Sequence, residues 1–479
     1  MRREFIINII LLFIINLLIK PLYIFGIEAR VQDLVGTESY GLYFFYFNFV
    51  FLFQFINDPG IQNWNAQYVP KNTGTVGIHF ANLLQIKLLL GLFFIFLTWL
   101  TAFMSGYHDL SIVIYISVSF VLSSLFMIFR GVIAGIGYYR TDSLLSSLDK
   151  MLMIIILGYL VYFSSYKDHF NIRFLIIVQI VAYFIACCVA GFIIIQKIKP
   201  VFKPIRRSEF SNVIKSGAPF VLIMVFMTTY NKLDGVMLGL LLHDNNYQAG
   251  VYAAAYRFYD AANMVGYLFA ALLLPMYASQ INQSDVIKEL VNTGLRYTGA
   301  ISLVVVVSIW FYGDKILSLL YTEYQPQFFV TLKILMLSYF MVAVSYIYGT
   351  LLVATGKVRN LNVILAIGLL LNVILCLILI PAYKAIGASI ATLITQSFVM
   401  IGQIYLVKRE KGIVMSKNVM IRISAFGISI FFFFGLFSNF KGVEWYLNLG
   451  ACILICVLLS FIFKIIDKQD ISLLFNRKK

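Results

Sequence analysis

The sequence predicts an all-α integral membrane protein of about fourteen transmembrane helices. It is expected to form two six-helix lobes related by a pseudo-two-fold axis along the membrane normal, with two further helices at the C-terminal end. Three observations lead there. Of the 479 residues, 61% are apolar and only 12% are charged, against roughly 25% charged in an ordinary soluble domain. The mean hydropathy is +0.90, and at ~20 mostly apolar residues per span the apolar residues supply about fourteen spans and little else. Short stretches also recur in order between the two halves of the chain, as an internal duplication leaves them.

Apolar runs broken by Gly, Pro and charge mark the spans. The first, 6–26, is interrupted by Lys20-Pro21, and no small-residue cleavage pattern follows it, so it reads as a span and not as a removed signal. The second, 39–57, closes at Asp58-Pro59-Gly60, where a carboxylate and turn residues end a helix. Spans 78–103 and 110–134 follow, then 143–164 and 172–195. A basic stretch, 196–212, links the halves. The second half continues with 213–241, entered by Pro219, and 247–279, with Pro275 late in it. Proline in a membrane helix kinks it and frees a carbonyl that neighbours or water must satisfy. Spans 292–312, 327–354, 360–380 and 384–407 complete that half, and 419–437 and 444–464 lie beyond it. The expected organisation is therefore a lobe over 1–195, the linker 196–212, a second lobe over 213–407, and a C-terminal region 408–479 of two extra spans and a basic tail.

The net charge of +16 is chiefly a topology signal. With Met1 cytoplasmic, 27 of the Lys and Arg residues fall at cytoplasmic ends and 8 at the other side, leaving Lys232 and Arg257 within the membrane. Both termini are thus expected inside, and the positive balance serves orientation and attraction to anionic headgroups without calling for nucleic acid.

Two islands carry the repeat. Residues 41–49 read GLYFFYFNF and residues 250–258 read GVYAAAYRF, sharing Gly, Tyr and the final Phe at one offset. Gly137-Tyr-Tyr-Arg140 and Gly356-Lys-Val-Arg359 repeat a Gly-x-x-Arg turn after a fourth span of each half. Six spans per half give both halves the same orientation, one of the symmetries of secondary transporters.

Catalysis has little to stand on. The four histidines (His79, His108, His169, His243) lie near span ends, none at i, i+4 from another His or a Glu, and no G-x-S-x-G, H-E-x-x-H or Walker pattern occurs. The five cysteines fall in apolar runs with no C-x-x-C pair, so no metal site and no cofactor is expected. External loops are short, and their acids, including Glu28, Asp33 and Glu38, read as solvated charge.

Charge inside the membrane is the informative part, because an ionised group at mid-bilayer costs ~2.5–3.5 kcal/mol on insertion scales. Spans seven and eight hold Lys232, Asp234, Arg257 and Asp260. Counted from a hairpin apex near 244–245, the two cations fall at one depth, with both acids within ~5 Å of it at 1.5 Å per residue. Arg257 and Asp260, spaced i, i+3, share a side of their helix. Two readings are open: a mutually paired cluster that locks helices together, or cations lining a central cavity, with Asp234 and Asp260 coupling transport or neutralising charge. Lys87, nine residues into the third span, either contacts an anionic substrate or snorkels to the surface. Arg130 and Arg140 flank a short turn; orientation accounts for them, and Arg130 is a further candidate for the substrate.

These residues resemble a known family. Pro219 through Asp234-Gly-Val-Met-Leu-Gly239, then Ala249-Gly-Val-Tyr-Ala-Ala-Ala-Tyr-Arg257 to Leu274-Pro275, is similar to the mid-chain signature of polysaccharide biosynthesis proteins. These are the Wzx-type flippases of the multidrug/oligosaccharidyl-lipid/polysaccharide exporter superfamily. Ala354-Thr-Gly-Lys-Val-Arg359, Asn372, Ile380-Pro381-Ala-Tyr383, Ile386-Gly-Ala388 and Ala391-Thr392 resemble their eleventh and twelfth spans, and Tyr40-Gly-Leu-Tyr43 with Asp58-Pro-Gly60 their early motif. Members often have Phe where Pro59 stands. The resemblance implies a non-enzymatic transporter of the bacterial inner membrane. It would move undecaprenyl-diphosphate-linked oligosaccharide to the outer leaflet by alternating access, for O-antigen, capsule or exopolysaccharide assembly. It further implies membrane lipids, a polysaccharide polymerase and chain-length proteins as partners. A doubly anionic diphosphate calls for cavity cations; Arg257, Lys232, Lys87 and Arg130 are the candidates that charge and depth supply. A drug or cation antiporter of the same superfamily and a peptidoglycan-precursor flippase are the alternatives, with a transport-inactive scaffold as a third class.

Overall fold

The computed structural model describes residues 18–466 apart from 108, 165–169, 205–206, 243–245 and 441–442. Among the described residues every regular element is helical. The expected hairpin apex at 244–245, both termini and His108, His169 and His243 lie outside them. The chain forms two compact units, one running to Gly250 and the other from Val251.

In the first unit, Pro21 caps a π-helical segment Leu22–Glu28 that continues into α1 (Ala29–Val35). Then come α2 (Thr37–Leu52), α3 (Gln54–Asn57) and α4 (Ile61–Tyr68). The long α5 (Val76–Met104) and α6 (Leu110–Gly135) follow. Next are α7 (Tyr139–Leu145) and α8 (Leu148–Gly158), the latter extended by a second π-helical segment, Tyr159–Phe163. Finally come α9 (Ile172–Ile198) and α10 (Arg207–Leu241). Helix α11 (Asn246–Ser279) begins in this unit and belongs mainly to the next. The second unit adds α12 (Ser284–Leu320), α13 (Pro326–Ala354), α14 (Val358–Lys411), α15 (Lys417–Ser438) and α16 (Trp445–Ile462).

Ten helical stretches among the described residues are long and apolar enough to cross a membrane, and the fourteen expected spans map onto the helices with identifiable differences. The first span falls largely outside the described residues. The second is divided at Phe53 between α2 and α3. The seventh is α10, 35 residues long. The eleventh and twelfth are fused in α14, which breaks at Lys384 with φ 55 and ψ −129 three residues after Pro381.

Helix α6 is the centre of the first unit, packing on α5, α9, α4 and α2. Ala182, Ala186, Ala190 and Ile194 recur every fourth residue of α9 and are fully buried, a stripe of mostly small side chains that lets the helix approach closely. Ala186, Ala190 and Ile194 meet Phe126, Phe129, Val132 and Ile133 of α6 and Phe80, Leu83 and Ile86 of α5 in one apolar cluster. The glycines that the repeat aligns, Gly41 and Gly250, are required where α2 meets the start of α11. A Cβ on Gly41 would lie 1.9 Å from the Asn246 carbonyl oxygen, and one on Gly250 would lie 2.0 Å from that of Thr37.

In the second unit α13 packs on both α12 and α14, joined by Leu295, Ile347, Leu351 and Val407. The two C-terminal spans dock on α12: Phe426, Ile430 and Phe434 of α15 and Cys452 and Cys456 of α16 repeat at four-residue spacing into one buried cluster.

Candidate functional site

The sequence candidates separate into different environments. Lys87 is fully buried on α5. Its ammonium donates to the Asn57 carbonyl at 2.6 Å and to Ser124 Oγ at 2.5 Å, and the Asp58 carboxylate lies 3.9 Å away. Its stem does not snorkel. The break at Asp58-Pro59-Gly60 explains why: α3 ends there, Gly60 takes φ 75, and Asp58 Oδ1 receives the Gln62 N–H that starts α4. The carbonyl and carboxylate exposed by that break are what Lys87 satisfies. Arg130, at the end of α6, donates from Nε to Asp142 Oδ1 of α7 at 2.8 Å and lies against the Phe126 ring.

Lys232 is half-buried on α10, its ammonium 5.5 Å from the centre of the Phe51 ring, while Asp234 is buried. Helix α10 packs on α2 because Gly235 and Gly239 leave room for Phe44, Asn48 and Phe45.

In the second unit Arg257 is buried, and its Nη1 donates to the Tyr321 hydroxyl at 2.7 Å. Asp260 is exposed, and among the described residues it forms no ion pair with Arg257. The shared helix side expected from i, i+3 spacing does not bring the two together, because the arginine stem carries its guanidinium to Tyr321. Along another face of the same helix, Tyr252, Tyr256 and Tyr259 form a ladder of ring contacts at 5.8 and 5.4 Å. Tyr252 and Tyr259 bond to Thr392 and Gln396 of α14, each at 3.3 Å.

A further polar cluster escaped the sequence reading. Lys150 of α8 places its ammonium 4.6 Å from the Tyr23 ring centre, 5.8 Å from that of Tyr183 and 3.6 Å from Asp149. Glu28 is near enough to act on it electrostatically and accepts the Tyr40 hydroxyl at 2.6 Å. Tyr43 and Gln179 bond each other at 2.9 Å. Four parts of the unit converge here: the first π-helical segment, α2, α8 and α9. The second π-helical segment is tied to the first by Tyr162, whose hydroxyl donates to the Gly26 carbonyl at 2.6 Å; such segments are frequent at functional sites. Asp149-Lys150, seven residues inside an expected span, was the signal available, and assigning that lysine to the cytoplasmic end hid it.

Outside the spans, Asp109 receives Ser111 Oγ at 2.7 Å and Arg173 Nη2 at 3.1 Å. Burial pushes its carboxyl up, but these hydrogen bonds and the arginine charge outweigh it and hold the carboxyl below its ordinary value.

Residues 5–281 match the family described as polysaccharide biosynthesis protein. An uncharacterized membrane protein of Methanocaldococcus jannaschii is 22% identical over 395 residues, which covers 80% of this chain and 93% of that protein. The capsular polysaccharide biosynthesis protein CapF of Staphylococcus aureus is 25% identical over 320 residues, 64% of this chain and 76% of CapF. Among solved structures, the lipid II flippase MurJ in an inward closed conformation superposes with a TM-score of 0.75 at 18% identity, covering 97% of this chain and 100% of MurJ. An inward-facing multidrug resistance MATE family transporter of the MOP superfamily gives 0.63 at 13% identity, covering 84% of this chain and 94% of that one. The fold is thus that of helical membrane transporters. With the family match extending over more than half of its length, this multi-pass membrane protein belongs to the polysaccharide biosynthesis protein family.

Proposed function

We propose that the protein is a flippase that moves undecaprenyl-diphosphate-linked oligosaccharide from the cytoplasmic to the outer leaflet of a bacterial inner membrane, for assembly of a surface polysaccharide. One observation carries the reading: on helices long and apolar enough to cross a membrane, cations are held against tyrosines, Arg257 on Tyr321 and Lys150 beside Tyr23 and Tyr183. Guanidinium and ammonium groups suit a diphosphate, and the tyrosines, each with an apolar ring and a hydroxyl, suit sugar. A carrier for cationic drugs would call for the opposite sign. In this reading Arg257 and Lys232 receive the diphosphate, and Asp234 and Asp260 balance them between substrates. Lys87 and Arg130, bonded to Asn57, Ser124 and Asp142, hold helices in place. The lipid tail stays in the bilayer, and no covalent bond is made or broken. The termini are cytoplasmic, and polymerase and chain-length proteins receive the product.

Export in a host lacking its own flippase, complemented by this gene, tests the proposal. Arg257→Ala should abolish surface polysaccharide and leave the diphosphate-linked sugar in the inner leaflet, with a wild-type melting temperature. Arg257→Met, which keeps bulk without charge, should fold and also fail. Export by Arg257→Met at the wild-type level would refute the role of the charge.

A further inference from the structure

We propose a lipid site in the second unit that is separate from the flipped substrate. In it, a groove between α12, α13 and α15 holds one acyl chain of an anionic phospholipid, and Lys333 pairs with its phosphodiester. The groove encloses about 610 Å³, and Leu303, Val306, Trp310, Leu337, Ile428 and Phe431 are among its apolar walls. At its floor Gly427 of α15 lets Leu303 of α12 pack closely: a Cβ there would come within 3.2 Å of Leu303.

The rim carries the second observation. Lys333 stands one turn before Leu337 on α13. Its ammonium lies 5.1 Å from the centre of the Trp310 ring, which is part of the groove wall, and 4.3 Å from that of Phe329. Among the described residues no carboxylate pairs with it. Seven residues past Pro326, it sits ~10 Å along α13 at 1.5 Å per residue, so its stem reaches toward the headgroups beside the turn 321–325. A cation held on ring faces at the mouth of an apolar groove complements an amphiphile with one negative charge beside its chains. The charge count separates the two lipids available. A phosphodiester carries one charge and matches one lysine, whereas a diphosphate-linked lipid carries two and calls for more than one cation.

The test uses the full-length protein in nanodiscs, with Trp64, Trp99 and Trp445 changed to Phe so that Trp310 alone fluoresces. Phosphatidylglycerol brominated on its chains should quench Trp310 with about fivefold higher affinity than brominated phosphatidylcholine, the preference expected of one lysine at an anionic surface. Lys333→Gln should bring the ratio to about one, and Gly427→Leu should weaken quenching by both lipids. Equal quenching by the two lipids in the parent, or an unchanged preference in Lys333→Gln, would overturn the proposal. Release of brominated phosphatidylglycerol by equimolar undecaprenyl diphosphate would overturn it as well, by assigning the groove to the substrate tail. If the single-tryptophan protein does not fold, native mass spectrometry decides. The wild type should retain a phosphatidylglycerol that Lys333→Gln loses, and equal retention would count against the site.

Discussion

Lys87 shows what a single charge does when the bilayer surrounds its helix. A lysine there must find oxygen acceptors or neutralise; the break after α3 supplies a carbonyl and a carboxylate, and Ser124 of α6 a hydroxyl. Removing one partner of such a group leaves the others buried and unsatisfied, so Lys87→Ala should lose about 3–5 kcal/mol, read as a sharply lowered melting temperature. The double variant Lys87→Met/Asp58→Asn should recover part of it. A Lys87→Ala protein of normal stability that fails to transport would instead make Lys87 a substrate contact. The sequence offered Lys87 and Asp58-Pro59-Gly60 as separate features, because their meeting depends on how α5 packs against the break, which helical periodicity does not encode. Arg257 was legible for the converse reason: its cost is a matter of depth, and depth is counted along one helix.

At the scale of elements, composition and periodicity placed the spans, since a bilayer forces backbone polar groups into helices wherever an apolar run is long enough. Local geometry was less visible. Neither π-helical segment has a composition that distinguishes it from α-helix, so the approach of the first to Lys150 and its tie to the second through Tyr162 and Gly26 lay beyond sequence reasoning. The Gly-x-x-Arg turns fared better, since Gly137 and Gly356 do end their helices with φ 94 and 72. The α5–α6 connection yields a pH prediction. Asp109 has a folded-state value below the ordinary carboxylate value, so its pair with Arg173 contributes stability that is fully present above the ordinary value and lost as pH falls through the lowered one. Both partners are partly exposed, which limits the pair to about 0.2–1 kcal/mol. Arg173→Gln should therefore lower the melting temperature by the same small amount at pH 6 and pH 8, and the gap to wild type should close in acid below pH 4. A gap that widens there would show the sign to be wrong.

For the whole molecule, the proposed orientation follows from the 27-to-8 bias of basic residues. It predicts that a cysteine at position 203, in a Cys-free background, is modified from the cytoplasmic side only, and that one at position 322 is modified from outside. The reverse pattern would invert the transporter. The fold class and family were legible because both rest on span pattern and ordered motifs. The substrate path was not, because the side chains that meet a ligand are chosen by packing between helices distant in sequence. Energetics allow the proposed transport without a coupled ion. At −100 mV, ~2.3 kcal/mol per charge favours outward movement of a diphosphate by about 4.6 kcal/mol.

The most direct measurement is flipping of an undecaprenyl-diphosphate-linked sugar by the purified protein in proteoliposomes, under an imposed inside-negative potential and with no proton or sodium gradient. The account predicts transfer to the outer leaflet that rises with the potential and disappears in Arg257→Met. Transfer that ignores the potential, persists in Arg257→Met or fails altogether for this lipid would contradict it.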